Sequence, residues 1–152
     1  MLVIGFGNPL RGDDGLGHVA AQRLEDILRD SRVEIILAHQ LMPEMSEPIS
    51  RAGLVIFIDA SASDPPGHVA CTEIEPATNS SIRETHELGP SQLLGLARNL
   101  FGRCARGVLF SVGTNDFELR EGLSPQAAAG VDEVVKRAGA LAQDFPGATK
   151  DL

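Results

Sequence analysis

Five short apolar runs alternate along the chain with stretches whose apolar residues recur every three or four positions. The first run, Leu2 to Phe6, leads into Gly7, Asn8 and Pro9 and reads as a buried strand ending in a loop. From Asp13 the period changes: Leu16, Val19, Ala20, Leu24, Ile27 and Leu28 form one helical stripe, with Arg23, Glu25, Asp26 and Arg29 opposite. Asp13 and Asp14 stand where an N-cap and first-turn acids belong. Val33 to Ala38 is the second strand. Pro43 can open a helix whose modest stripe is Met45, Ile49 and Ala52. Leu54 to Ile58 (LVIFI) is the most strongly apolar run, and it ends on Asp59. After the turn SASDPPG, His68 to Ile74 is a fourth strand. Ser91 to Phe101 is a helix entered from Gly89-Pro90, Gly107 to Val112 a fifth strand, and Ser124 to Phe145 a long helix opened by Ser124-Pro125.

Strands and helices alternating at this spacing predict an α/β fold: a three-layer α/β/α sandwich around a five-stranded, mostly parallel sheet. The hairpin-length gap between the third and fourth strands predicts that one strand runs antiparallel. With 152 residues and no repeat or linker, the expectation is one domain over 1–152, with 146–152 a frayed tail.

Composition narrows the function classes. Six Phe with no Tyr or Trp leave no stacking platform for bases, and a formal charge of −8 repels nucleic acid. No run is long enough for a membrane span, and the N-terminus lacks the pattern of a signal peptide, so a cytoplasmic protein is expected. Cys71 and Cys104 have no CxxC partner and lie in apolar surroundings, which predicts buried or half-buried inert thiols. Nothing in the sequence specifies an oligomer; a monomer is the expectation.

In an open α/β sheet the functional crevice lies beyond the carboxyl ends of the strands. Three polar segments collect there: Gly7 to Asp14, Asp59 to Gly67, and Asn79 to Gly89. Each carries a potential ligand, respectively Asp14, Asp59 and His86. Asp13 and Asp14 can serve helix capping alone, worth about 1 kcal/mol each; one acid suffices for that, so capping and function stand level. Asp59, at the end of a strand buried on both faces, is either a turn-former or a functional acid, and its position favours the latter. His86, in a polar loop, has little to mark it by itself, and His18, His39 and His68 have less. An Asp/Asp/His set suits a borderline divalent cation such as nickel or zinc, with open positions for a substrate. A dinucleotide site is disfavoured because GFGNPL lacks the third glycine and two acids begin the helix. Ser61, Ser111 and Ser124 lack a GxSxG context.

The opening IGFGNPLRGDDGLGHVAAQRL resembles the N-terminal signature of the hydrogenase maturation endopeptidases, G-x-G-N-x-L-x-x-D-[DE]-x-x-G. Further similar blocks follow in order: VIFIDAS, THELG, and ELREGLSPQAAAGVDEVVKRA. The resemblance implies a twisted five-stranded sheet and assigns the family's metal-contacting residues to Asp14, Asp59 and His86. Asp14 stands where the family often has glutamate. Gly5, Gly7 and Asn8 would shape the loop that presents Asp14.

The implied activity is an endopeptidase that removes the C-terminal extension of a [NiFe]-hydrogenase large-subunit precursor. Nickel is then carried by the substrate rather than owned by the protease, and the attacking water is activated either by a carboxylate, Asp14 or Asp59, or by the metal; the two devices make the same sequence demands. In place of the glycine-rich segment of many relatives, the chain has AHQLMPEMSEPISRA, similar to proteases of soluble, NAD-linked hydrogenases and placed to line a substrate groove. The alternative is a catalytically silent metal-sensing chaperone or binding module on the same fold; the acids and the histidine favour the endopeptidase.

Overall fold

The structure is a computed structural model describing residues 1–29, 32–78 and 88–145; the expected frayed tail at 146–152 lies outside the described residues. Five strands, β1 (Leu2–Phe6), β2 (Glu34–Ala38), β3 (Leu54–Ser61), β4 (Val69–Ile74) and β5 (Arg106–Gly113), form one sheet in the order β2-β1-β3-β5-β4. The helices are α1 (Leu16–Ile27), α2 (Ser46–Arg51), α3 (Pro90–Phe101) and α4 (Pro125–Asp144). The ladders β1–β2, β1–β3 and β3–β5 are parallel, and β4 is antiparallel. The expected antiparallel strand therefore exists, but it pairs with β5 at the sheet edge rather than hairpinning onto β3.

Each central strand is buried on both faces because its alternating side chains serve two cores. Val3, Leu54, Ile56, Ile58, Val108, Phe110 and Val112 pack with α1 and α4; Leu2, Ile4, Val55 and Phe57 pack with α2 and α3. The approach of α1 to the sheet depends on glycine. A Cβ on Gly5 would lie 2.2 Å from the carbonyl oxygen of Gly17, so the two backbones meet only without side chains between them. At the start of α4, Ser124 Oγ accepts from Ala127 N at 3.2 Å, and Pro125 occupies the first turn, where its missing N–H costs nothing.

Three expectations are corrected. α1 does not begin at Asp13: a 3-10 turn, Gly12–Gly15, precedes it, and the residue at its N-cap is Gly15, so neither acid caps it. β3 does not stop before Asp59 but runs on to Ser61, because its backbone ladder with β5 continues through Asp59–Ser111 to Ser61–Gly113. Cys71 is exposed, since β4 is an edge strand with only one face against the body; Cys104 is half-buried, and burial pushes its thiol pKa up. Among the described residues no helix is long and apolar enough to cross a membrane.

Candidate active site

β1 is followed in sequence by β2 on one side of it, whereas β3 is followed by β4 beyond β5 on the other. The loops leaving the adjacent carboxyl ends of β1 and β3 therefore diverge, and a crevice opens between them, as expected at a switch in strand order. It has a volume of about 650 Å³ and is lined by Phe6, Gly7, Asp14, His39, Asp59 and Leu88, with Gln40 to Pro43 completing one wall. Two of the three residues expected at the site, Asp14 and Asp59, thus share one cavity. The third, His86, lies outside the described residues, although Leu88, two positions on, lines the crevice.

Asp14 reaches the cavity through a loop bent back on itself. Gly7 takes φ +134°, and a Cβ there would lie 2.1 Å from the Asp14 carbonyl oxygen, so this turn requires glycine. The Asn8 N–H donates to Asp14 Oδ2 at 2.8 Å, while Asn8 Oδ1 accepts from Leu10 N at 2.9 Å. Asn8 consequently holds both the loop and the carboxylate it presents. Gly7 and Asn8 thus contact the loop that presents Asp14, whereas Gly5 lies against Gly17 of α1.

The two adjacent acids have separate destinations. Asp13 is 1% exposed and turns away into the protein, where it accepts from Thr114 Oγ1 (2.6 Å), Ser124 N (2.7 Å) and Ser124 Oγ (2.6 Å). Asp14 is half-buried and faces the crevice.

Asp59 continues the alternation of Val55 and Phe57, so a carboxylate occupies a strand position where the pattern calls for an apolar residue. Burial pushes its pKa up from the ordinary 3.8 to about 7, against the lowering effect of the Ala60 N–H that donates to Oδ1 at 2.8 Å; the charge of Asp14 adds to the rise. A carboxyl group with a pKa near 7 can both take and return a proton at neutral pH. Perturbed carboxyls of this kind concentrate at functional sites.

No family model and no curated protein matches the chain. Solved structures do. The hydrogenase maturating endopeptidase HybD from E. coli superposes with a TM-score of 0.70 at 21% identity, over 94% of this chain and 91% of that one. The [NiFe] hydrogenase maturation protease HycI from Thermococcus kodakarensis gives 0.71 at 22%, over 94% and 92%. The hydrogenase 2 maturation peptidase from a Thaumarchaeota archaeon gives 0.62 at 24%, over 92% and 95%.

The fold is that of the hydrogenase maturation endopeptidases. At these identities the likeness establishes architecture, and the chemistry of this maturation-endopeptidase fold rests on the side chains in its crevice. Among the described residues, no group of three His, Cys, Asp or Glu is arranged to hold a metal ion.

His39, which little in the sequence marks out, also lines the crevice. It follows β2, whose carboxyl end lies on the same sheet edge as those of β1 and β3, so the strand-end rule applied to β2 would have found it. Its ring lies 6.3 Å from that of His18, whose Nε2 is 2.8 Å from the Ala38 carbonyl oxygen. Of the AHQLMPEMSEPISRA segment, His39 to Pro43 form one wall of the crevice.

Proposed function

We propose that this protein is an endopeptidase that removes the C-terminal extension of a nickel-loaded [NiFe]-hydrogenase large-subunit precursor in the cytoplasm. The observation that carries the reading is the convergence of Asp14 and a half-buried Asp59, whose pKa burial raises to about 7, in one crevice of a maturation-endopeptidase fold. Nickel is part of the substrate. Asp14, Asp59 and His86 meet it as it enters, the last assigned by the resemblance of the THELG block.

The chemistry follows from the state of Asp59. Before substrate binds, a pKa near 7 leaves a large share of the molecules protonated and uncharged at neutral pH. A cation brought into the crevice favours the ionised form and draws that proton off. The carboxylate can then take a proton from water as the water oxygen bonds to the scissile carbonyl carbon. As the C–N bond breaks, the same proton passes to the leaving nitrogen. Asp14, fixed by the Asn8 N–H, serves as the charged partner that meets the metal.

The test is to incubate the protein with the precursor, loaded with nickel or free of it, and to weigh the products. Nickel-dependent loss of a C-terminal peptide is expected, and Asp14→Ala, Asp59→Ala and His86→Ala should each abolish it. Binding with no change of mass would replace this reading with that of a metal-sensing chaperone.

A further inference from the structure

Asp13 takes no part in the chemistry above, yet it is the most deeply buried charged side chain among the described residues. A carboxylate withdrawn from water is costly unless hydrogen bonds replace its hydration. Three donors do so here: Thr114 at the end of β5, and both the N–H and hydroxyl of Ser124 at the start of α4. Helix capping does not explain the residue, because Gly15 rather than Asp13 holds the N-cap of α1.

The contacts around it belong to one device. The segment between β5 and α4 lies alongside the loop that carries the two acids and bonds to it repeatedly. Asp13 N donates to the Asp116 carbonyl, Gly12 N to the Arg120 carbonyl, and Arg120 N to the Leu10 carbonyl, with Arg11 and Arg120 paired as a parallel bridge. Arg120 is ion-paired to Asp116, which stiffens the segment from within. The Asp13 carboxylate is the one side chain of the acid loop that reaches across to both ends of this clamp. It shares a single 3-10 turn with Asp14, so fixing one fixes the direction of the other.

We infer that Asp13 is a positioning residue, which holds Asp14 toward the crevice by tying its turn to Thr114 and Ser124. The inference rests on the endopeptidase reading for its effect on turnover, but its structural content does not. Asn8 N–H, which donates to Asp14 Oδ2, reports the placement of Asp14 without any substrate.

The experiment compares Thr114→Ser, Thr114→Val, Asp13→Asn and a core control, Val134→Ala. Amide exchange and chemical shift of Asn8 are measured by NMR, alongside cleavage of nickel-loaded precursor well below each melting temperature. Thr114→Val and Asp13→Asn should lose Asn8 amide protection relative to core amides such as Ile56. Their kcat/KM should fall about tenfold to a hundredfold, the usual cost of displacing a reacting group by about an ångström. Thr114→Ser, which keeps the hydroxyl, should restore both, and Val134→Ala should leave both unchanged despite its lower stability. If Thr114→Val and Asp13→Asn keep a native Asn8 amide, Asp13 is a staple for the fold and the inference is overturned. If the wild-type protein does not cleave, the endopeptidase reading fails while the Asn8 amide still decides the positioning role.

Discussion

Replacing Asp59 by Asn should make the protein more stable above neutral pH while removing its activity. The substitution keeps size and shape, and its carbonyl oxygen can still accept from Ala60 N, as Oδ1 does now. What it removes is the need to ionise a half-buried group. With a folded pKa of about 7 against an ordinary 3.8, the native state binds the proton more tightly than the unfolded chain. Stability from this group is therefore fully present below about pH 4 and is lost as pH rises through about 7. Linkage between those two values gives a loss of about 2.5 kcal/mol from about pH 5 to about pH 8 in the wild type. The variant should show no such loss. For a chain of this length the difference corresponds to a relative gain of about 5–10 °C in melting temperature. Chemical denaturation of both proteins at the two pH values, with chelator present, measures it. Parallel pH profiles would show that Asp59 ionises as freely in the folded state as in the unfolded chain, and the argument for it as a proton carrier would fail.

Other outcomes follow from named contacts. Gly7→Ala places a Cβ against the Asp14 carbonyl in a left-handed backbone; it should destabilise by about 1–3 kcal/mol and depress cleavage, as denaturation and rate assays can show. Leu94→Ala removes a fully buried side chain beneath the sheet and should cost about 2–5 kcal/mol in a denaturant titration. In a thiol-labelling time course, exposed Cys71 should react well before Cys104, whose thiol pKa burial raises; the reverse order would mean that the edge strand is covered.

Much of the architecture was legible because the strands are two-sided. LVIFI is apolar without a break and GVLFSV is interrupted only by Ser111, as expected of strands covered on both faces, and the helical stripes between them leave little choice of topology. The end of β3 was not legible, since the backbone ladder with β5 is indifferent to a carboxylate in the next position. For the site, the strand-end rule singled out Asp59 as a candidate, and the structure adds that it lines the crevice and that burial is the largest cause of its raised pKa. The difference between Asp13 and Asp14 could not be read, because Asp13 is defined by partners 101 and 111 residues away. His39 lines the same crevice just beyond the edge strand β2, where the strand-end rule applies equally.

The central claim is that Asp14 and Asp59 form the working pair of a nickel-triggered endopeptidase. Its most direct test is the mass of nickel-loaded large-subunit precursor after incubation with wild-type protein and with folded Asp59→Asn in parallel. A precursor shortened at its C-terminus by the wild type and left intact by the variant is expected. A variant that shortens the precursor at the wild-type rate would contradict it.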